Sequence, residues 1–227
     1  MLYGSVAVAM IFVVLSLFQK PTASPHYPYL AAEINGMAKE DEAASQFFLS
    51  GPTQDKEKRA AELKKLAEID HRIAERMKWI VAKFGWPTPA MVGREASFNA
   101  WLLVQHATGD LPFQKLCLGL IEPLARSKVI PGDNYAYLYD RVQVEDGKLQ
   151  RFGTQGKNDE VFLWINSVEN PDKLDEYRKQ YGLGPLDDYA KLLADSYRYK
   201  LAPDWRERLK PKKKKDVQKL AGNSRAS

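Results

Sequence analysis

The sequence predicts an α+β fold, a mostly helical single domain with a small antiparallel β-hairpin or three-stranded sheet. Apolar residues recur at spacings of three and four along several long segments, which is typical of helices buried on one face. The period changes to two near residue 142, where a hairpin is expected. A length of 227 residues and an apolar fraction of 44% suit one core rather than two.

The longest predicted helix runs from Asp55 to Phe84. Its apolar residues follow a helical spacing: Leu63, Leu66, Ile73, Met77, Ile80 and Phe84. Gly85 ends this helix, and Pro87 cannot continue it. A less regular helix is expected before it, around residues 31–48.

Five further helices are expected after it. The first two run from about Glu95 to Ala107 and from Leu111 to about Ser127. A short helix capped by Asp133 then reaches Asp140. The last two cover 172–181 and 186–199, on either side of a Gly-Leu-Gly-Pro break.

The β structure is expected between these groups of helices. Val142 and Val144 alternate with polar residues, the turn residues 145–148 follow, and 149–152 alternate again, which predicts a hairpin. Residues 161–165 are a candidate third strand. The folded domain is therefore expected to cover residues 25–200.

The N-terminal segment, residues 1–24, is interpreted as a signal peptide or membrane anchor. Residues 1–18 carry no charged side chain, and the run Val6–Phe18 has the length of a signal-peptide core but is short for a membrane span. A cleaved signal, an uncleaved anchor and a buried helix all remain open. The first two imply an exported (periplasmic or secreted) or membrane-anchored protein.

Residues 201–227 form a basic tail that is expected to be disordered. The net charge of residues 200–227 is +7 and that of the whole chain is +5, so residues 1–199 have a net charge of −2. The domain therefore lacks the basic excess of a nucleic-acid binder, and no specific nucleic-acid partner is expected. The Lys run and residues 1–18 could instead associate with a membrane surface.

No cofactor and no metal site is expected. The chain has one cysteine, Cys117, so an intrachain disulfide cannot form. Because the sequence holds only three histidines besides this cysteine, a zinc site built from nitrogen and sulfur ligands is not expected. Carboxylates could hold a hard cation, but no pattern indicates one. The phosphate and nucleotide motifs, the nucleophile elbow and the zinc-protease motif are absent from the sequence.

The candidate site residues are polar side chains that interrupt apolar patterns. His106 ends the apolar stripe of its helix, where it is either a general acid or base or a hydrogen-bonded structural residue. Asp140 and Arg141 lie where helix and hairpin meet, suited to binding a substrate anion or to tying the two elements together. Gln150, Thr154 and Gln155 could orient a polar ligand or make ordinary strand-edge bonds.

One series of motifs is specific through its combination and covers about residues 63–189: Gly85-Trp86-Pro87, Gly93, Trp101-Leu102-Leu103-Val104-Gln105-His106-Ala107, Gln114, Leu138-Tyr139-Asp140-Arg141-Val142, Gly147-Lys148-Leu149-Gln150, Arg151-Phe152-Gly153-Thr154-Gln155, and Tyr177-Arg178 through Gly182-Leu183 to Tyr189. It resembles an uncharacterised, mainly bacterial family catalogued as domain of unknown function 6624. The resemblance implies no activity. It implies that Gln105, together with the six candidates above, belongs to the family signature. The family commonly has Tyr at the position of Phe152, so no role for a phenol is carried over.

Three functions remain open on these residues. The first is an enzyme acting on a small polar molecule or peptide, with His106 as acid or base, Asp140 as its orienting partner, and Gln105, Arg141, Gln150, Thr154 and Gln155 binding the ligand. The second is a binding module that uses the same side chains without chemistry. The third is a structural or interaction domain in which they only tie the hairpin to the helices. His106, Asp140, Arg141, Gln150 and Gln155 are predicted to converge on one site, although they belong to three different elements.

Overall fold

The computed structural model describes residues 26–46 and 55–211. Predictions for residues 1–24 and for the Lys run beyond Pro211 lie outside this part of the chain. No helix within the two described ranges is long and apolar enough to cross a bilayer.

Helices dominate the described residues, which confirms the predicted fold class. Eight α-helices are described: α1 Pro28–Ser45, α2 Lys56–Phe84, α3 Pro89–His106, α4 Leu111–Arg126, α5 Gly132–Glu145, α6 Leu174–Gln180, α7 Leu186–Ser196 and α8 Trp205–Arg208. A 3₁₀ turn, Pro171–Lys173, precedes α6.

The long helix α2 has the boundaries that its sequence predicts. The Asp55 carboxylate caps its start by accepting a hydrogen bond from the Lys58 N–H at 2.8 Å. Gly85, with a φ of +74°, ends it. By contrast, α3 begins at Pro89, before its predicted start, because Gly93 adopts a φ of +81° and kinks the helix without ending it.

The main core lies among α1 to α5. Helix α1 packs on α2 and α3, while α4 packs on α5. The side chains that meet there are almost fully buried: Ile34, Met77, Ile80, Trp101, Val104, Ile121 and Leu138. Burial of these large apolar groups supplies the main stabilisation of the helical layer.

The predicted hairpin at residues 142–152 is wrong, because α5 continues through Val142 to Glu145. Val142 is spaced four residues from Leu138, and both are buried, so the short alternation was one face of a helix. Gly147 then takes a φ of +71° and redirects the chain. Gln150 makes only an isolated parallel bridge with Val168.

The sheet lies further along the chain and is mixed. Strand β1, Gly156–Asn158, pairs antiparallel with β2, Phe162–Ile165, which confirms the candidate third strand. Strand β3, Lys200–Leu201, pairs parallel with β2. A second apolar cluster covers this sheet with Leu163, Ile165, Leu186, Leu193 and Trp205.

The folded region continues past the predicted boundary at residue 200. Trp205 and Leu209 are 5% and 7% exposed. The Val168 N–H donates to the Leu209 carbonyl at 2.8 Å, which fixes the segment after β3 to the domain. The start of the predicted tail is therefore part of the second apolar cluster.

Candidate functional site

His106 forms a largely buried hydrogen-bonded contact with a residue that the sequence reasoning missed. Its Nδ1 lies 2.7 Å from Oδ2 and 2.9 Å from Oδ1 of Asp41, near the end of α1. The Asp41 side chain is 2% exposed and that of His106 is 13% exposed. Asp41, rather than the expected Asp140, is thus the carboxylate that orients His106.

Asp70 of α2 joins this pair. The pKa of Asp70 is raised to about 7, mainly by burial and then by the negative charge of Asp41, while His106 opposes the rise. A hydrogen bond between the two carboxyl groups also favours the protonated form of Asp70. Oδ1 of Asp70 is buried and has no hydrogen-bond partner within the described residues, which further disfavours the charged form of this carboxyl group. We call Asp41, Asp70 and His106 the carboxylate–histidine cluster.

A sequence signal for these two carboxylates existed. Asp41 follows Ile34 and Met37 at spacings of seven and four, which places it on the buried face of α1. Asp70 lies between Leu66 and Ile73 on the apolar stripe of α2. A carboxylate at a core position of a helix is uncommon unless it is paired, so both positions mark a buried polar contact.

Asp140 has a different role. It is fully buried and accepts hydrogen bonds from the N–H groups of Arg151 at 2.7 Å, Phe152 at 3.0 Å and Thr154 at 2.9 Å. The Thr154 hydroxyl donates to it at 3.0 Å. Burial raises the pKa of Asp140 to about 6, although these hydrogen bonds oppose the rise. Asp140 therefore holds the loop of residues 151–154 against α5.

Gln150, Thr154 and Gln155 complete that loop. The Gln150 side-chain amide donates to the carbonyls of Gln155 at 3.0 Å and Asn166 at 2.8 Å, and its Oε1 accepts from the Gln155 N–H at 2.8 Å. The Gln155 amide donates to the Thr154 hydroxyl at 3.1 Å. For these three residues the bonds agree with the alternative of ordinary structural hydrogen bonding rather than with orientation of a ligand.

Two residues that the sequence reasoning did not select also secure the loop. The guanidinium of Arg178 donates to the Phe152 carbonyl at 2.6 Å and the Gly184 carbonyl at 2.7 Å. The Tyr189 hydroxyl donates to the Thr154 carbonyl at 2.7 Å. Arg178 and Tyr189 both belong to the motif series of residues 85–189, but the spacing of these motifs does not indicate a contact with this loop.

Phe152 points into an aromatic group instead of a polar site. Its ring is 1% exposed, and its centroid lies 5.0 Å from that of Tyr181 and 5.7 Å from that of Tyr139. Such edge contacts stabilise the loop through packing.

Arg141 and Gln105 form a third buried group. Nε of Arg141 donates to Oε1 of Gln105 at 2.7 Å, and burial lowers the pKa of the guanidinium. No carboxylate of the described residues lies within salt-bridge distance of Arg141. The amide nitrogen of Gln105 and Oε1 of Gln114 are buried without a partner among the described residues. This group thus keeps one hydrogen-bond donor and one acceptor without a partner among the described residues.

The structure therefore sorts the seven candidates into three hydrogen-bonded groups. His106 belongs to the carboxylate–histidine cluster. Gln105 and Arg141 bond to each other. Asp140, Gln150, Thr154 and Gln155 secure one loop. Of these groups, only the first combines several titratable side chains with a ring nitrogen to which no residue of the described ranges bonds.

Other reactive side chains offer little chemistry. Cys117 is fully buried, and burial raises the pKa of its thiol to about 12, so the thiol stays protonated. Within the described ranges, no three His, Cys, Asp or Glu side chains are grouped in a way that could hold a metal ion.

Comparison with known proteins identifies one similarity. A family model described as a family of unknown function, DUF6624, matches residues 28–202. The resemblance carried by the motif series is confirmed, and the match extends to α1, where Asp41 lies. No curated protein and no solved structure matches the chain.

Proposed function

The chain belongs to the family of unknown function DUF6624, and we propose that its carboxylate–histidine cluster performs general acid–base chemistry on a small polar molecule or peptide. One observation carries this proposal: His106 is hydrogen-bonded through Nδ1 to a buried Asp41, and Asp41 in turn contacts a carboxyl group whose pKa is about 7. Titratable groups with perturbed pKa values beside one another are typical of catalytic sites.

His106 is suited to act as the base. When its Nδ1–H donates to Asp41, the lone pair of the neutral imidazole lies on Nε2. Asp41 also stabilises the imidazolium that forms when Nε2 takes a proton. Within the described residues nothing bonds to Nε2, and the side chain keeps some exposure to solvent.

Asp70 is suited to act as the acid. A carboxyl group with a pKa of about 7 carries a proton in a large fraction of molecules at neutral pH. The contact between Asp70 and Asp41 links Asp70 to the imidazole of His106. When His106 takes up one proton and Asp70 releases one, the net charge of the cluster does not change. Two titratable groups whose environments differ can in this way divide the acid and base roles.

The attacking group in this proposal is water or a group of the substrate. Cys117 is buried and protonated, so it is not a nucleophile. No hydroxyl of the described residues bonds to His106 in the manner of a serine hydrolase. Hydrolysis or proton transfer at a polar substrate is therefore the class of reaction that the cluster suits best.

A structural or interaction domain is the second candidate, and the loop of residues 151–154 favours it. The Asp140 carboxylate and the Gln150 amide use their hydrogen-bonding capacity inside the protein. In this alternative the carboxylate–histidine cluster only holds helices together through buried hydrogen bonds and has no chemical role. We retain the proposal that residues 1–24 direct export or membrane anchoring.

The decisive experiment is a screen of polar metabolites and short peptides that follows both binding and turnover. Binding is read as a shift in melting temperature, and turnover is read by mass spectrometry. His106→Gln and Asp70→Asn should abolish turnover. His26→Gln, which changes an exposed histidine, should retain it. Binding without turnover in the wild-type protein would favour a binding module, and turnover that survives both cluster variants would refute the proposal.

A further inference from the structure

A cleft lies far from the carboxylate–histidine cluster, between the start of α3 and the connection from α4 to α5. Its volume is about 610 Å³, within the range of small-molecule sites. The ten residues that line it include Arg94, Ser97, Phe98, Lys128, Val129 and Asn134. Ser97 and His106 are separated by nine residues of α3, or about 13 Å along the axis.

The charged residues of the cleft are both cationic. Arg94 and Lys128 are exposed, and neither makes a salt bridge within the described part of the chain. None of the ten described lining residues is acidic. The cleft therefore presents two positive charges that no lining carboxylate neutralises.

Two residues that line the cleft are largely buried, and their polar side-chain groups form no hydrogen bond with the described residues. Ser97 and Asn134 are each 4% exposed and line the cleft. The backbone carbonyl of Asn134 accepts from Nε1 of Trp101 at 2.7 Å, whereas no described residue bonds to the Ser97 hydroxyl or to the Asn134 side-chain amide. Their polar atoms are not sealed in the core but open to the cleft, so both side chains can bond to an external group that enters it.

Helix α5 adds its N-terminus. The helix has 14 residues, and its N-cap residue, Pro131, makes no side-chain hydrogen bond to the first N–H groups. Asp133 accepts the Asn134 N–H at 2.8 Å, so one of these donors is already used. The dipole of α5 and its other unpaired N–H groups favour a negative group near Gly132.

We propose that this cleft binds the phosphate group of a small molecule. Arg94 and Lys128 supply the charge, while Ser97 and Asn134 supply hydrogen bonds to the phosphate oxygens. The cleft is larger than a phosphate, and Phe98, Val129 and Pro131 leave an apolar portion for the organic group that carries it.

The experiment titrates the full-length protein with inorganic phosphate and with phenyl phosphate at constant ionic strength. Binding is followed by calorimetry and by the amide NMR signals of residues 94–97 and 128–134. Arg94→Gln, Lys128→Asn and Ser97→Ala test the cleft, and Lys191→Gln removes an exposed charge elsewhere. Asn suits position 128 because its backbone has a φ of +58°.

Each charge variant should weaken phosphate binding about tenfold or more, as expected for one charge-assisted hydrogen bond. Ser97→Ala should weaken it about threefold to tenfold without loss of folding. Lys191→Gln should leave it unchanged. Tighter binding of phenyl phosphate would assign the apolar portion to an organic group, and equal binding would assign the cleft to free phosphate. Absence of binding, or equal weakening by Lys191→Gln and Arg94→Gln, would overturn the proposal.

Discussion

Nδ1 of His106 lies 2.7 Å from Oδ2 of Asp41, and this contact joins the last residue of α3 to a core position of α1. The bond has a structural consequence whatever the chemistry of the site. Removing the imidazole leaves a carboxylate whose side chain is 2% exposed without this partner. A loss of stability on mutating His106 therefore does not by itself argue against catalysis, and proton positions and turnover must be measured as well.

We expect Asp70→Asn to change the pH dependence of stability. The folded protein keeps the Asp70 proton up to a pKa of about 7, whereas the same carboxyl group in the unfolded chain loses it around its ordinary pKa of 3.8. Between these values the folded state binds more protons, so wild-type stability falls as pH rises through this window. Asn cannot ionise, and the variant should exceed the wild-type protein by about 1–2 kcal/mol at pH 8, a value reduced by solvent screening of the partly exposed carboxyl.

Urea unfolding of both proteins at several pH values measures this difference. The two proteins should match below about pH 3, where Asp70 is protonated in both the folded and the unfolded state. A constant difference across the pH range would show that Asp70 has an ordinary pKa and would remove the acid from the proposed function.

The sequence predicted the helices well and the sheet poorly, for a physical reason. Helix α2 carries a long amphipathic pattern with a capping Asp55 and a terminal Gly85, so its signal is local and repeated. The alternation at Val142 and Val144 covered only three residues, and it was compatible with a helix once Leu138 was counted. Strand β3 has two residues, and its parallel pairing with β2 depends on contacts that no local pattern encodes.

The candidate site was predictable only in part. His106 could be selected because it interrupts an apolar stripe, but its partner is 65 residues away in the chain. Asp140 was expected beside His106 because it leads into the predicted hairpin, which was expected to pack against the end of the apolar stripe that carries His106. The structure instead directs Asp140 to the backbone of the loop that follows α5. Which buried carboxylate meets which base depends on helix packing, and the sequence of one helix does not determine it.

We expect Asp140→Asn to destabilise the domain strongly. The Asn side chain has one oxygen instead of two, and its amide would face N–H groups of residues 151–154 that now donate to Asp140. The expected cost is about 2–4 kcal/mol, since charged hydrogen bonds are lost inside the core.

Asp159→Asn is the matched control for this variant. Asp159 is exposed and also accepts from backbone groups, the N–H of Val161 at 2.8 Å and of Phe162 at 2.7 Å. Chemical denaturation should show a cost of about 1 kcal/mol or less, because water can replace the lost bonds. Equal costs for the two variants would mean that Asp140 does not hold its loop.

We expect Gly153→Ala to be destabilising by about 1–3 kcal/mol. Gly153 has a φ of +66°, and an added Cβ would lie 2.9 Å from Cδ1 of Leu186. Gly119→Ala in α4 should instead stabilise by about 0.5–1 kcal/mol, because this helical glycine has open space around it. Melting temperatures that moved in the same direction for both variants would contradict the described position of the loop.

The final prediction concerns the bond between His106 and Asp41 and uses a double-mutant cycle. His106→Gln and Asp41→Asn should each cost about 1–3 kcal/mol, because each leaves a buried polar group with a weaker partner. The double variant should cost about 1–2 kcal/mol less than the sum of the two, since residues in direct contact are not additive. Equilibrium unfolding in urea at pH 7 measures all four proteins.

A second cycle on Arg72 and Glu40 provides the control. These residues form a hydrogen-bonded salt bridge between the same helices, α1 and α2, that carry Asp41 and Asp70, but their side chains are 58% and 44% exposed. Solvent screening should limit their coupling to about 0.5 kcal/mol or less. If the His106–Asp41 coupling is no larger than this, the buried bond is not formed in solution. His106 would then lack the partner that fixes its tautomer, and the acid–base proposal would fail together with it.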